Sequence, residues 1–287
     1  MNYAVNKTVS YESTTKTVKD VEFDQPSLKK GTKDQTSSVV TIKFDQAIAE
    51  VGQDGTATAD VTITGIQCKM VNRNQARYEF DSASEKNKAD LMNKLVGQSY
   101  RISLSPDGAV KVLDAAKARA VKIGGEGQKL AQTIVSDIAI IERHQLPLPS
   151  TDKNITLSPK GWTQVAPSPP GGLAPKMFNK VYTVEQISKD NTATVTMAAK
   201  ENLTEKPTED PKASGNNLGF LSKLFDNNDS YTGKLVVNLS SGIVNSYEET
   251  FVSSYTAQDK PSNASADTPP DTLIMRLTYS LNLRKID

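Results

Sequence analysis

The sequence is poor in the residues from which catalytic and metal sites are built. It holds one histidine, His144, and one cysteine, Cys68. A single histidine excludes every motif that needs two, including the His-Glu-x-x-His zinc site. A single cysteine excludes an internal disulfide, which suits a reducing compartment or an envelope protein with an adequate core. Cys68 falls at an alternating position in Ile66-Gln67-Cys68-Lys69-Met70 and reads as a small buried residue. His144 follows Glu142-Arg143 at a predicted helix end, where an imidazolium complements the helix dipole, so it reads as a surface or capping residue.

Charge of one sign is also lacking. Lysine and arginine number 34 against 33 acidic residues, for a net charge of +1. Such a chain exerts no global pull on nucleic acid or anionic membrane. The lysines between Lys16 and Lys33 are interleaved with Asp20, Glu22 and Asp24 and read as a solvated edge. No apolar run reaches the ~18 residues of a membrane-spanning helix. The first residues after Met1 already read as strand, which fits a removed N-terminal leader or a cytosolic start equally.

Motifs for catalysis fail one by one. There is no Gly-x-Ser-x-Gly elbow and no Walker loop. Gly124-Gly125-Glu126-Gly127-Gln128-Lys129 has a phosphate loop's composition without its spacing, and reads as a helix break. Ser13-Thr14-Thr15-Lys16 matches Ser-x-x-Lys but lies in a strand-like segment. Asp226, Asn228 and Ser230 begin like a calcium loop, but Tyr231 stands where the turn needs glycine. Glu248 and Glu249 are the kind of adjacent carboxylates that could pair for acid-base work. No enzyme, metal or cofactor is expected.

What is present is alternation. From Leu273 to Leu283 every second residue is large and apolar: Leu273, Met275, Leu277, Tyr279, Leu281 and Leu283. This period specifies one long β-strand with one dry face. Val40, Ile42, Phe44 and Ile48 mark a second long strand. It turns at Gly52-Gln53-Asp54-Gly55 and returns through Ala57, Ala59, Val61 and Ile63. Tyr3, Val5, Val9 and Tyr11 open the chain as a strand, with Val18, Val21 and Phe23 on its partner and a polar loop from Pro26 to Ser38. Further hairpins are predicted around Ser188-Lys189-Asp190-Asn191 and Ser240-Ser241-Gly242.

Two helical regions interrupt the strands. Ser84 caps the first, whose stripe is Leu91, Met92, Leu95 and Val96 and whose stop is Gly97. The second starts near Asp114, breaks at the glycines, and resumes through Leu130, Ile134, Ile138 and Ile141 until Pro147 and Pro149. The expected fold is a single α+β, β-rich domain over residues 1–287. It is a long curved antiparallel sheet or half-barrel with two or three helices on one face. Polar insertions are expected at about 203–230 and 257–271.

The first insertion carries an apolar island, Leu218-Gly219-Phe220-Leu221-Ser222-Lys223-Leu224-Phe225. An island of this kind docks on something. Leu218, Leu221, Leu224 and Phe225, with Leu277 and Tyr279 from the last strand, are therefore the candidate ligand-binding residues.

Tyr78-Glu79-Phe80-Asp81-Ser82, then Leu91 to Gly97, then Tyr100 to Val110 with Leu-Ser-Pro-Asp-Gly at its centre, form a recognisable series. Leu146-Pro147-Leu148-Pro149 and Gly161-Trp162 complete it. The series covers about a third of the chain and resembles a set of uncharacterised bacterial secreted or lipid-anchored envelope proteins. That resemblance implies a periplasmic or extracellular location, either secreted or lipid-anchored through a removed N-terminal leader, and no known activity. The layout also looks like the half-barrel envelope lipoproteins that carry lipids. The expected function is non-enzymatic binding of an apolar or lipid-like ligand between sheet and helices. The alternative is a structural or protein-interaction module of the envelope, with an envelope protein as partner.

Overall fold

The computed structural model describes residues 3–149, 155–158, 160–172, 175–204, 225–259 and 269–286. Among them the dominant feature is one antiparallel sheet of thirteen strands. The chain begins with β1 (Thr8–Gln25), β2 (Lys30–Val51), β3 (Ala57–Asn72) and β4 (Gln75–Asp81). β5 (Ser99–Leu104) and β6 (Val110–Asp114) follow. Three helices come next: α1 (Ala116–Arg119), α2 (Gly125–Ile134) and α3 (Asp137–His144). The sheet resumes with β7 (Ile155–Ser158), β8 (Gly161–Pro167), β9 (Met177–Ile187) and β10 (Thr192–Glu201). It ends with β11 (Asp226–Asn238), β12 (Ile243–Asp259) and β13 (Asp271–Ile286).

The strand order is β6-β5-β3-β2-β1-β13-β12-β11-β10-β9-β8-β7, with β4 beside β3. β1 pairs with β13, so the two ends of the chain meet at the middle of the sheet. The sheet does not close: β6 and β7 remain as separate edges, and the helical segment runs between them. Among the described residues no helix is long and apolar enough to cross a membrane.

Alternation explains the strands. In β13, Leu277, Tyr279, Leu281 and Leu283 are buried, while the residues between them are half-buried. In β3, Ala57, Ala59, Val61 and Ile63 are fully buried. These residues share one face with Phe44, Phe178, Leu235 and Phe251, and that face is the core. Gly55 takes φ +79° to close the β2–β3 turn, as an Asp-Gly pair requires.

The sheet must curl. Tyr100 on β5 and Lys180 on β9 are separated by eight steps of the strand order. A flat sheet would place them about 38 Å apart at ~4.8 Å per step. Yet α3, a helix of eight residues, serves both. Arg143 donates to the Tyr100 hydroxyl at 2.9 Å, and the adjacent Glu142 shares a cavity with Lys180. Such a helix is only about 12 Å long. Sheet curvature lets this one short helix bond Tyr100 and border the Lys180 cavity.

Several sequence expectations are corrected. Residues 8–25 form one strand, so Val18, Val21 and Phe23 continue β1 instead of lying on its partner. The polar stretch from Pro26 to Ser38 is mostly strand: a single turn at Pro26–Leu28 is followed directly by β2. Its residues alternate too weakly to reveal a strand because this end of the sheet is wet on both faces. The helix expected after Ser84 is two short 3-10 turns, Glu85–Asn87 and Leu91–Leu95. Asp90 caps the second by accepting from the Met92 N–H, and only Met92 and Leu95 of it are buried. The helix through Leu130 and Ile141 is two, divided where Ser136 caps α3 by accepting from the Ala139 N–H. Ile138 consequently points outward and Ile140 inward.

Two of the chain's turn motifs, Leu-Ser-Pro-Asp-Gly and Leu146-Pro147-Leu148-Pro149, meet in space. Gly108, in the turn of Leu-Ser-Pro-Asp-Gly, has φ +85°, and a Cβ there would stand 2.5 Å from the Leu146 carbonyl oxygen. The Leu146 N–H donates to the Gly108 carbonyl at 3.1 Å. The glycine therefore lets the exit of α3 lie against the β5–β6 turn.

Candidate functional site

On the concave face two buried charged residues interrupt the apolar alternation. β12 presents Tyr247, Glu249, Phe251, Ser253 and Tyr255 inward. β9 presents Phe178, Lys180, Tyr182 and Val184. A glutamate and a lysine thus occupy core positions. β10 and β11 separate their strands, a distance of roughly 14 Å in a flat sheet. Curvature and small residues on the floor close it. Glu249 is opposite Gly233, and Lys180 is opposite Ala199. Lys180 Nζ donates to Glu249 Oε1 at 2.6 Å.

The Glu249 carboxylate is fully engaged. The Tyr231 hydroxyl donates to Oε1 and the Tyr247 hydroxyl to Oε2. Burial pushes its pKa up, but the Lys180 charge and these three hydrogen bonds outweigh burial and hold it below the usual carboxylate value. Lys180 Nζ also lies 4.3 Å from the centroid of the Tyr231 ring. Burial beside Glu249 drives the Tyr231, Tyr247 and Tyr182 hydroxyls upward, so all three stay protonated.

Above this floor is a cavity of about 350 Å³. Its floor is Lys180, Tyr182, Tyr231, Tyr247, Glu249 and Tyr279. Its walls come from the end of α3, through Glu142 and Gln145, and from the turn after β8, through Pro167 to Pro170. Proline fixes φ, which makes that wall stiff. Glu142 stands at the mouth. Desolvation of its carboxyl and the Glu249 charge raise its pKa, partly offset by Arg143. Tyr182 stacks on Trp162, with ring centroids 5.0 Å apart and planes within 11°.

The residues proposed from sequence divide. Tyr279 lines the cavity. Leu277 is buried on the same face but is covered by the loop: a Cβ at Gly171 would lie 3.7 Å from its Cδ1. Phe225 is half-buried, just ahead of β11, and does not line this cavity. Leu218, Leu221 and Leu224 lie outside the described residues, as do 205–224 and 260–268 of the expected insertions. Outside that stretch the insertions are narrower than expected, because β11 begins at Asp226 and β12 runs to Asp259. Glu248 and Glu249 do not pair, since alternation sends them to opposite faces, and Glu248 sits opposite Lys234.

The expectation for His144 is overturned. It is buried between Phe44 and Tyr100, at ring-centroid distances of 4.8 and 5.8 Å. Gln46 Oε1 can only accept, so His144 Nδ1 carries the ring proton and donates to it at 3.1 Å. Nε2 of the neutral ring then accepts from the Tyr100 hydroxyl at 2.8 Å, while that hydroxyl accepts from Arg143. Burial and the Arg143 charge hold the imidazole well below its ordinary pKa. It is neutral in the folded state while the unfolded chain takes up a proton below about pH 6.5. Protons bind more to the unfolded state there, so stability falls as pH drops from about 6.5 toward the folded pKa. Replacing His144 by Gln is expected to flatten this part of the stability profile. Urea unfolding midpoints between pH 7 and pH 5 check it; an unchanged slope would refute the buried neutral histidine.

No family model matches the chain. No curated protein matches it either. Solved structures do. A structure described as lipid-protein interactions in lipovitellin aligns over 100% of this chain, at 10% identity and a TM-score of 0.48. This chain spans only 26% of that one. Pseudomonas aeruginosa OpdL aligns over 98% of this chain and 99% of its own, at 7% identity and a TM-score of 0.23. Pseudomonas aeruginosa OpdQ aligns over 96% and 97%, at 10% identity and a TM-score of 0.18. Likenesses of this order fix neither a ligand nor an activity.

Proposed function

We propose that this is a non-enzymatic protein of the bacterial envelope that holds an apolar or lipid-like ligand between the curled sheet and its helices. The observation that carries this reading is the cavity of about 350 Å³ beneath α3, walled by prolines and floored by tyrosines. The cavity opens to solvent past Glu142 and Gln145, and its concave, tyrosine- and proline-lined shape is that of a ligand cleft. The volume lies at the small end of ligand sites, which run from about 300 to 1,000 Å³. It suits one short chain or one ring better than a two-chain phospholipid. The envelope assignment rests on the family resemblance of the turn and packing motifs.

Trp162, the sole tryptophan, stacks on the cavity residue Tyr182 and serves as the reporter. Titration with eight-carbon amphiphiles below their micelle concentrations is expected to change its emission saturably. Native mass spectrometry of the purified protein is expected to show a bound small amphiphile. If neither neutral nor charged amphiphiles perturb Trp162 and no adduct is found, the reading fails.

A second reading, an interaction module of the envelope, is favoured by the two open edges β6 and β7. They carry exposed Leu113 and Leu157 beside unpaired strand groups.

A further inference from the structure

We infer that the cavity selects a positively charged head, a quaternary or protonated amine attached to a short apolar body. This deepens the reading above and rests on it. Three observations converge. First, four tyrosines box the site: Tyr182, Tyr231, Tyr247 and Tyr279 all line it, with one face of Tyr182 taken by Trp162 and one of Tyr231 by Lys180. Aromatic faces attract ammonium groups, most strongly where water is excluded, and cages of this kind recognise quaternary ammonium ligands. Second, the box already accepts a cation, since the Lys180 ammonium rests 4.3 Å from the Tyr231 centroid.

Third, the charges that face the space do not balance. Among the described residues, Glu142 and Glu249 line it against the single cation Lys180. Lys180 is committed to Glu249 at 2.6 Å. Arg143 is turned away, donating to the Tyr100 hydroxyl and the Ile134 carbonyl, both at 2.9 Å. Glu142 therefore faces the mouth with no ion pair or hydrogen bond of its own among the described residues. A cation entering between Glu142 and the tyrosine rings gains both attractions. An anionic head meets two carboxylates whose one counter-charge is already used. The polar neighbours Gln145, Gln164 and Ser168 can accept from a protonated amine but add no charge.

The test compares octyltrimethylammonium, octanol and octanoate, matched in chain length, by Trp162 fluorescence on the full chain. The expected order is the ammonium compound about tenfold tighter than octanol, with octanoate weakest. Glu142 is exposed, so Glu142→Gln leaves the fold intact, and it is expected to weaken the ammonium compound about fivefold while leaving octanol unchanged. Circular dichroism of that variant confirms folding. Equal binding of all three probes, or preference for octanoate, overturns this inference and leaves the binding function standing. Loss of octanol affinity equal to that of the ammonium compound in the Glu142→Gln variant also overturns it. No binding by any probe overturns both.

Discussion

Replacing Lys180 by Met is expected to destabilise the protein by about 3–5 kcal/mol, although Met keeps most of the lysine's apolar stem. The cause is what remains. Glu249 is almost fully buried, and without Lys180 only the Tyr231 and Tyr247 hydroxyls would hold its charge. A buried ion pair adds little to stability, but half of one is costly. Glu249→Leu is expected to cost a similar amount, because it strands the Lys180 ammonium. The double variant should then cost well under the sum of the two, since neither charge is left alone. Urea unfolding of the four proteins gives the coupling directly. A Lys180→Met variant within about 0.5 kcal/mol of the parent would mean that the pair is not buried as described.

The second large effect is expected at Phe44. Its ring is fully buried in β2, 5.6 Å from Tyr11 and 4.8 Å from His144 between centroids. It is therefore one of the contacts, with Tyr100, through which the end of α3 rests on the sheet. Phe44→Ala is expected to cost about 3–5 kcal/mol, from lost burial and from the cavity left behind. Leu113→Ala, on the open edge strand β6 and half-exposed, should change stability by less than about 0.5 kcal/mol. Thermal or urea unfolding separates the two. Equal losses would argue against a core organised around the α3 contact.

The contrast between these sites shows what the sequence could disclose. Long strands with one dry face were legible wherever the core covers them, as in Leu277 to Leu283 and in Ala57 to Ile63. Alternation was not legible where the sheet extends past the helices. Thr32, Asp34 and Thr36 face the same side as Phe44, yet nothing covers them well enough to demand apolar residues. The short helices were harder. Leu91 to Leu95 has helical spacing, but a 3-10 turn satisfies it at this length.

The cavity was half legible. Tyr279 follows from alternation alone. Glu249 and Lys180 each interrupt an apolar face, and a charged residue at an inward position is the signal that could have marked them. Their pairing was not readable. It depends on register across four strands, on Gly233 and Ala199 leaving the floor low, and on a curvature that no local pattern encodes. His144 was misread for a related reason: a histidine at a helix end is usually solvated, and only the docking of α3 over β2, β3 and β5 brings Phe44 and Tyr100 around it.

α3 lies inside a curled sheet and reaches both of its halves at once. A spin label on a cysteine at position 142 tests it. The native Cys68 is buried, and burial pushes its thiol up to about 12, so it stays unlabelled. The label is expected to broaden the ring signals of Tyr100 on β5 and of Tyr182 on β9 together. Broadening of Tyr100 alone, with Tyr182 untouched, would place the helix on one half of an open sheet and contradict the trough, the cavity and the ligand with it.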